Sequence, residues 1–230
     1  MRFAIILSAG GSAFFAAYDI LVKTKRYSKD DFIVIVDRTC AAEKEAFNRG
    51  IYFERINYDT KDNFSKKVVS LLIKKNVLIS LMLYSKLISG HLFSAIPTLN
   101  VHPALFPSFK GLNPVGQALD FGVKFMGASL HITTEKMDEG AIVGQVVSPI
   151  NFGATKEQLD RVSFLQKAYL IIMMLDCTER NLVQFNNSNG VSWTGDIKFN
   201  YSSNPCIQSR DLSELFDAYQ EFEGMKGTIQ

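Results

Sequence analysis

The sequence predicts an α/β fold, a mostly parallel twisted sheet with helices on both faces. Three observations carry that expectation. Short, mostly apolar runs (Arg2 to Leu7, Asp31 to Asp37, Val77 to Leu83) read as buried strands. Stretches of helical character stand between them. The first run opens into a glycine-containing turn, Ser8-Ala9-Gly10-Gly11-Ser12. At 230 residues and 47% hydrophobic, the chain can bury a full core as one domain, or as one domain with a small appendage.

Taken in order, the first strand and its turn lead into a helix from Ala13 to Lys23. Glycines between a buried strand and a helix start either present backbone N–H groups to an anion or simply make a tight turn. The second strand ends at Asp37 and is followed by a helix near Ala41 to Arg49, stopped by Gly50. An acidic residue at that place invites a dinucleotide-binding reading, but Ser8 to Phe14 lacks the G-x-G-x-x-G spacing. A polar helix over Asp62 to Lys75 precedes the third strand. Pro114 to Phe121 reads as a short helix, Lys124 to Thr133 and Ala141 to Ile150 as strands. Thr155-Lys156-Glu157-Gln158 is a capping box opening a long helix to about Glu179, with Leu159, Val162, Leu165, Ile172 and Leu175 toward one side.

From Asn186 the character changes, and we expect a catalytic domain over 1–185 and a C-terminal extension over 186–230. Asn186 to Gly190 reads as a linker or turn, Val191 to Phe199 as a hairpin around Gly195, Ser202 to Pro205 as irregular, and Leu212 to Glu223 as a helix. No repeat or low-complexity segment interrupts the chain.

Composition excludes several function classes. A net charge of +2 is too balanced to imply nucleic-acid binding. Cys40, Cys177 and Cys206 are unclustered, which argues against a zinc site and for a reducing, cytoplasmic compartment. The apolar run Tyr169 to Leu175 is too short to span a bilayer.

Chemistry concentrates between Leu99 and Gln145. Pro103 and Pro107 bar helix and strand pairing at their positions, so Leu99 to His102 ends a strand that opens into a stiff loop closed by Gly111. The period-two alternation of a strand puts Asn100 and His102 on one face. An amide beside a titratable imidazole suits holding a carbonyl and moving a proton. Asp138 supplies a carboxylate that either orients His102 or relays its proton.

The pattern Asn100-Val101-His102-Pro103, with Leu105, Pro107, Gly111, Gly127, His131, Asp138, Gly140 and Gln145, resembles the folate-dependent formyltransferase family, nearest to its glycinamide ribonucleotide transformylases. The resemblance implies a Rossmann-like formyltransferase fold with a small C-terminal hairpin and helix. It implies formyltetrahydrofolate as formyl donor, no metal, and an amine acceptor of glycinamide ribonucleotide type. Asn100, His102 and Asp138 become the catalytic group, with Asn100 and His102 stabilising the oxyanion and Asp138 moving the proton. His131 supports them, buttressing the acidic turn rather than acting on substrate. The donor falls to Tyr84, Ser85, Lys86, Leu87, Ile88, Val101, Met137, Glu139 and Gly140. By the same resemblance the substrate falls to Gly10, Gly11, Ser12, Ala13, Pro103, Lys110 and Gly111. The chain departs from the family's phosphate loop at Ala9 and Ala13, where Gly and Asn are expected, and from its pterin-binding loop at Lys86, where Arg is usual. Alternatives are an amino-sugar nucleotide N-formyltransferase, a formyltetrahydrofolate deformylase in which water replaces the amine, and a folate- or nucleotide-binding module without turnover. The expected partners are the folate and a small amine, with neither nucleic acid nor membrane, and a homodimer formed through the C-terminal extension.

Overall fold

The computed structural model describes residues 1–185 and 190–226; Asn186-Asn187-Ser188-Asn189, most of the predicted linker, lies outside the described residues. Seven α-helices and ten strands follow in order among the described residues, with two short 3-10 turns at Val22–Thr24 and Lys29–Asp31. They are β1 (Phe3–Leu7), α1 (Ser12–Leu21), β2 (Phe32–Val36), α2 (Ala41–Asn48), β3 (Tyr52–Arg55), α3 (Lys61–Lys74), β4 (Ile79–Leu83), α4 (Gly90–Phe93) and β5 (Thr98–His102). After them come α5 (Pro114–Phe121), β6 (Phe125–Ile132), β7 (Ile142–Pro149), α6 (Lys156–Glu179), β8 (Val183–Phe185), β9 (Val191–Trp193), β10 (Ser203–Asn204) and α7 (Arg210–Lys226). Eight strands form one sheet in the order β10-β7-β6-β5-β4-β1-β2-β3. The β3-β2-β1-β4-β5 half is parallel, and β6, β7 and β10 are added antiparallel.

β1 and β2 are buried at every residue, because helices cover both faces of the sheet there. On one face α1, α2, α6 and α7 pack over Phe3, Ile5, Val34, Leu81, Leu99 and Leu130. On the other, Phe64, Val68 and Leu72 of α3 and Leu92 of α4 cover Ala4, Ile6, Ile33, Ile35 and Met82. Gly11 begins α1 at φ 64°, and a Cβ there would come within 2.5 Å of Leu7 Cδ1, so only glycine makes this turn.

The predicted capping box is present: Thr155 Oγ1 accepts from Gln158 N at 3.3 Å and Gln158 Oε1 accepts from Thr155 N at 2.9 Å. α6 buries more than the single side expected. Val162 and Leu165 are half-buried, whereas Leu170 to Thr178 are buried all round, enclosed by the sheet, α1 and α7.

Three local expectations are corrected. No predicted strand covers β3, because as the outer strand it carries the half-exposed sequence Tyr52-Phe53-Glu54-Arg55 rather than an apolar run. The hairpin pairs Val183–Phe185 with Val191–Trp193 and is not built around Gly195, which follows β9 at a φ of 81°. The segment read as irregular supplies β10, where Ser203 pairs with Val146 and Asn204 with Gln145. α7 is seated by Asp176, fully buried, which accepts from Gln208 N at 2.7 Å and Ser209 N at 2.8 Å and faces Arg26. No helix among the described residues is long and apolar enough to cross a membrane.

Candidate active site

Strand register builds the site. Ile35, Ile6, Met82, Asn100 and His131 are paired in one row across β2, β1, β4, β5 and β6. The row is apolar as far as β4, under α3 and α4, and polar from β5 onward, beyond that cover. His102 lies two residues on from Asn100, on the same face as expected, and pairs with Ser129.

Asn100 Nδ2 is 3.1 Å from His131 Nε2, and His131 Nδ1 is 3.1 Å from the Ile132 carbonyl. A carbonyl only accepts, so Nδ1 carries the hydrogen and Nε2 offers its lone pair to the Asn100 amide. Burial agrees with this neutral ring: it pushes His131 below its ordinary value, against the raising effects of the Ile132 carbonyl and Asp138. Asn100 therefore holds its amide with a second N–H to give.

Asp138 sits in the turn after β6 at φ 56°, a conformation that Asp tolerates better than most residues. Its Oδ2 accepts from Gly111 N at 3.0 Å and lies 3.5 Å from His102 Nδ1, and its Oδ1 lies 3.7 Å from His131 Nε2. One carboxylate thus joins the two loops that follow β5 and β6. His102 Nε2 donates to the Phe109 carbonyl at 3.0 Å, and its ring stacks on Phe106 at 4.8 Å. The proline loop is pinned from behind. Ser129 Oγ accepts from Phe106 N at 3.0 Å and donates to Ala104 O at 2.8 Å, while Gln145 Nε2 donates to Phe106 O at 3.1 Å and Ser129 Oγ at 3.0 Å.

These residues meet a cleft, open on one side, with Asn100, His131 and Asp138 in its floor. Of the residues expected to hold the donor, Tyr84, Ser85, Lys86, Leu87 and Ile88 form one wall and Met137 the opposite rim. Val101, Glu139 and Gly140 do not line it. Alternation sends the Val101 side chain to the opposite face, into the core, 4% exposed. Glu139 pairs with Lys136 in solvent at 3.7 Å. A Cβ on Gly140 would lie 1.6 Å from the Ile132 carbonyl oxygen, so this glycine lets the turn close on β6.

Of the residues expected to hold the substrate, Gly111 lines the cleft, and Pro103 and Lys110 belong to the proline loop. Gly10, Gly11 and Ser12 form the turn into α1, where the Gly11 carbonyl takes the N–H groups of Phe14 at 3.0 Å and Phe15 at 3.1 Å and leaves those of Ser12 and Ala13 at the open end of the helix. Ala13 is buried, 4% exposed, and its side chain faces the core. Ser8 Oγ lies 3.1 Å from Ser85 Oγ, which ties this turn to the cleft wall.

His102 also lies differently from expectation. It is buried behind Asp138 rather than facing the cleft, because its Nε2 is engaged by the Phe109 carbonyl. Sequence reasoning missed that carbonyl, since Phe109 reaches it through a φ of 50° that no residue type announces. It also passed over Thr133 and Glu135 in the rim. Among the described residues no group of three or more His, Cys, Asp or Glu side chains is arranged to hold a metal ion.

Comparison with known proteins agrees with this geometry. The family model described as formyl transferase matches residues 1–174. The chain is 32% identical over 167 residues to the phosphoribosylglycinamide formyltransferase of Bacillus subtilis, covering 70% of this chain and 85% of that one. It is 38% identical over 94 residues to the mitochondrial formyltetrahydrofolate deformylase 2 of Arabidopsis thaliana, covering 40% of this chain but only 29% of that protein. Among solved structures, glycinamide ribonucleotide transformylase 1 from Symbiobacterium toebii superposes with a TM-score of 0.75 at 25% identity, over 85% of this chain and 94% of that one. With the family model spanning most of the sequence and the sheet, glycine turn and polar strand end in place, the chain belongs to the folate-dependent formyltransferase family.

Proposed function

We propose that the protein transfers the formyl group of formyltetrahydrofolate to the primary amine of a small phosphorylated substrate of the glycinamide ribonucleotide type. The observation that carries this reading is the convergence of Asn100, His131 and Asp138 in the floor of one cleft, with His102 behind them.

The cleft suits a folate. Met82, Leu87, Ile88 and Met137 offer apolar sides to a flat ring, and the 84–88 strip lies beyond the end of β4, outside the sheet ladder, where backbone groups can meet a ring's polar edge. The donor supplies the formyl carbon and the oxygen on which negative charge develops as an amine adds. Asn100 gives its second amide N–H to that oxygen, and His131 keeps the amide turned the right way. Asp138, facing the cleft, takes the proton shed by the amine, directly or through water, and returns it to the folate nitrogen as the bond from that nitrogen to the formyl carbon breaks. His102, 3.5 Å behind it, answers the change of charge on the carboxylate. The α1 turn, with exposed Ser12, offers N–H groups to the substrate phosphate.

A second reading, hydrolysis of the donor with water in place of the amine, is favoured by one feature. At Ala13 the chain presents a buried methyl in the turn expected to hold the phosphate. Incubation with formyltetrahydrofolate, alone and then with glycinamide ribonucleotide or an amino-sugar nucleotide, separates the two. Release of tetrahydrofolate only when an amine is present supports the transferase. Release without one, abolished by Asp138→Asn, makes the protein a deformylase, and release under neither condition refutes both.

A further inference from the structure

Asp37 is the acidic residue at the end of β2 that the dinucleotide reading left without a role. Its carboxylate has no solvent exposure, yet it gathers three partners. Arg38 donates from Nε at 2.8 Å and Nη2 at 3.1 Å, Lys86 Nζ stands 2.7 Å away, and the Tyr84 hydroxyl donates at 3.2 Å. Burial alone would raise this carboxyl, but the hydrogen bonds and charges of Arg38 and Lys86 outweigh it and hold it below the usual range.

Two of those partners, Tyr84 and Lys86, belong to the cleft wall. They alternate along it, so both reach back to Asp37 while Ser85, between them, faces Ser8. The same strip is held by Tyr58, whose hydroxyl donates to the Leu87 carbonyl at 3.0 Å and whose ring lies 4.3 Å under the Lys86 ammonium. The Tyr84 ring stacks on Phe64 at 5.6 Å. Beyond the end of β4 no ladder fixes this backbone, so its place is set by side chains, and the central one is Asp37.

We propose that Asp37 is a positioning residue for the formyl donor, acting through Lys86 and Tyr84 to fix the wall against which the folate ring is held. This rests on the reading that the cleft binds folate. Asp37 touches neither Asn100 nor Asp138, so its loss falls on donor binding and not on the chemical step.

The test measures binding of the stable analogue 10-formyl-5,8-dideazafolate by calorimetry, alongside steady-state kinetics, for wild type, Asp37→Asn, Lys86→Met and the double variant. Expected are a rise of about tenfold or more in Kd and in donor KM for Asp37→Asn, with kcat within about threefold and acceptor KM unmoved. The double variant is expected to be no worse than the more affected single variant, since both act on one strap. Lys86→Met leaves Asp37 with Arg38 and Tyr84, and so reports on the strap even where Asp37→Asn folds poorly. If wild type binds the analogue and both single variants bind it equally well, the inference is overturned and the folate reading stands. A fall in kcat without change in Kd overturns it likewise. If wild type does not bind the analogue, the folate reading itself fails, and the inference with it.

Discussion

Asn100 and His131 face one another across the β5–β6 pair, Nδ2 to Nε2 at 3.1 Å, with the imidazole taking the hydrogen. The bond orients an amide at the floor of the cleft by spending one of its two N–H groups and leaving the other for substrate.

Asn100→Ala removes that donor while leaving a half-buried position that a methyl occupies without strain. A loss of about two to three orders of magnitude in kcat is expected. Circular dichroism should show the fold retained, with the melting temperature lowered by the loss of the His131 Nε2 partner.

His131 titrates below the ordinary histidine value of 6.5 because it is buried. The unfolded chain therefore binds a proton that the folded one refuses, and stability rises with pH through this window. Urea unfolding of wild type should lose stability as pH falls below 6.5, levelling where the folded ring is protonated at last. His131→Gln should flatten that slope, and a slope unchanged in the variant would assign the acid sensitivity to another group.

Asp138 combines a charge with an unusual backbone, and two substitutions separate them. Asp138→Asn keeps a side chain suited to φ 56° but loses the carboxylate facing His102, so activity should fall about a hundredfold or more with little change in melting temperature. Asp138→Ala should add a backbone penalty of roughly 1 kcal/mol, visible as a lower denaturant midpoint.

Ser129 is fully buried and connects Phe106, Ala104 and Gln145. Ser129→Ala leaves these groups short of a partner at a cost of about 1–3 kcal/mol. The proline loop should loosen with it, so that limited proteolysis near Pro107 to Lys110 outpaces wild type.

The parts of the fold that show in the sequence are those governed by local rules. β1 and β2 announce themselves because strands covered on both faces are apolar throughout, and α6 because its capping box is a short-range device. β3 lies at an open edge and carries no such signature, and the hairpin was displaced because Gly195 resembles a turn residue while β8 is only three residues long. Within the site, period-two alternation brings Asn100 and His102 to one face, and the same rule, applied to Val101, sends it to the core. What local pattern does not contain is the partner strand. His131 opposite Asn100 follows from the β5–β6 register, and the seclusion of His102 follows from a loop carbonyl placed by long-range closure.

The turn after β6 has a bearing on how such a site can be varied. Gly140 admits no side chain against Ile132, and Asp138 occupies a backbone region that disfavours bulky or branched replacements, so the spine of the turn tolerates few changes. Met137 and Glu139, alternating with them, are exposed. A library drawn at Met137 would reshape the mouth of the cleft without moving its floor, and selection for altered donor fit has its starting material there.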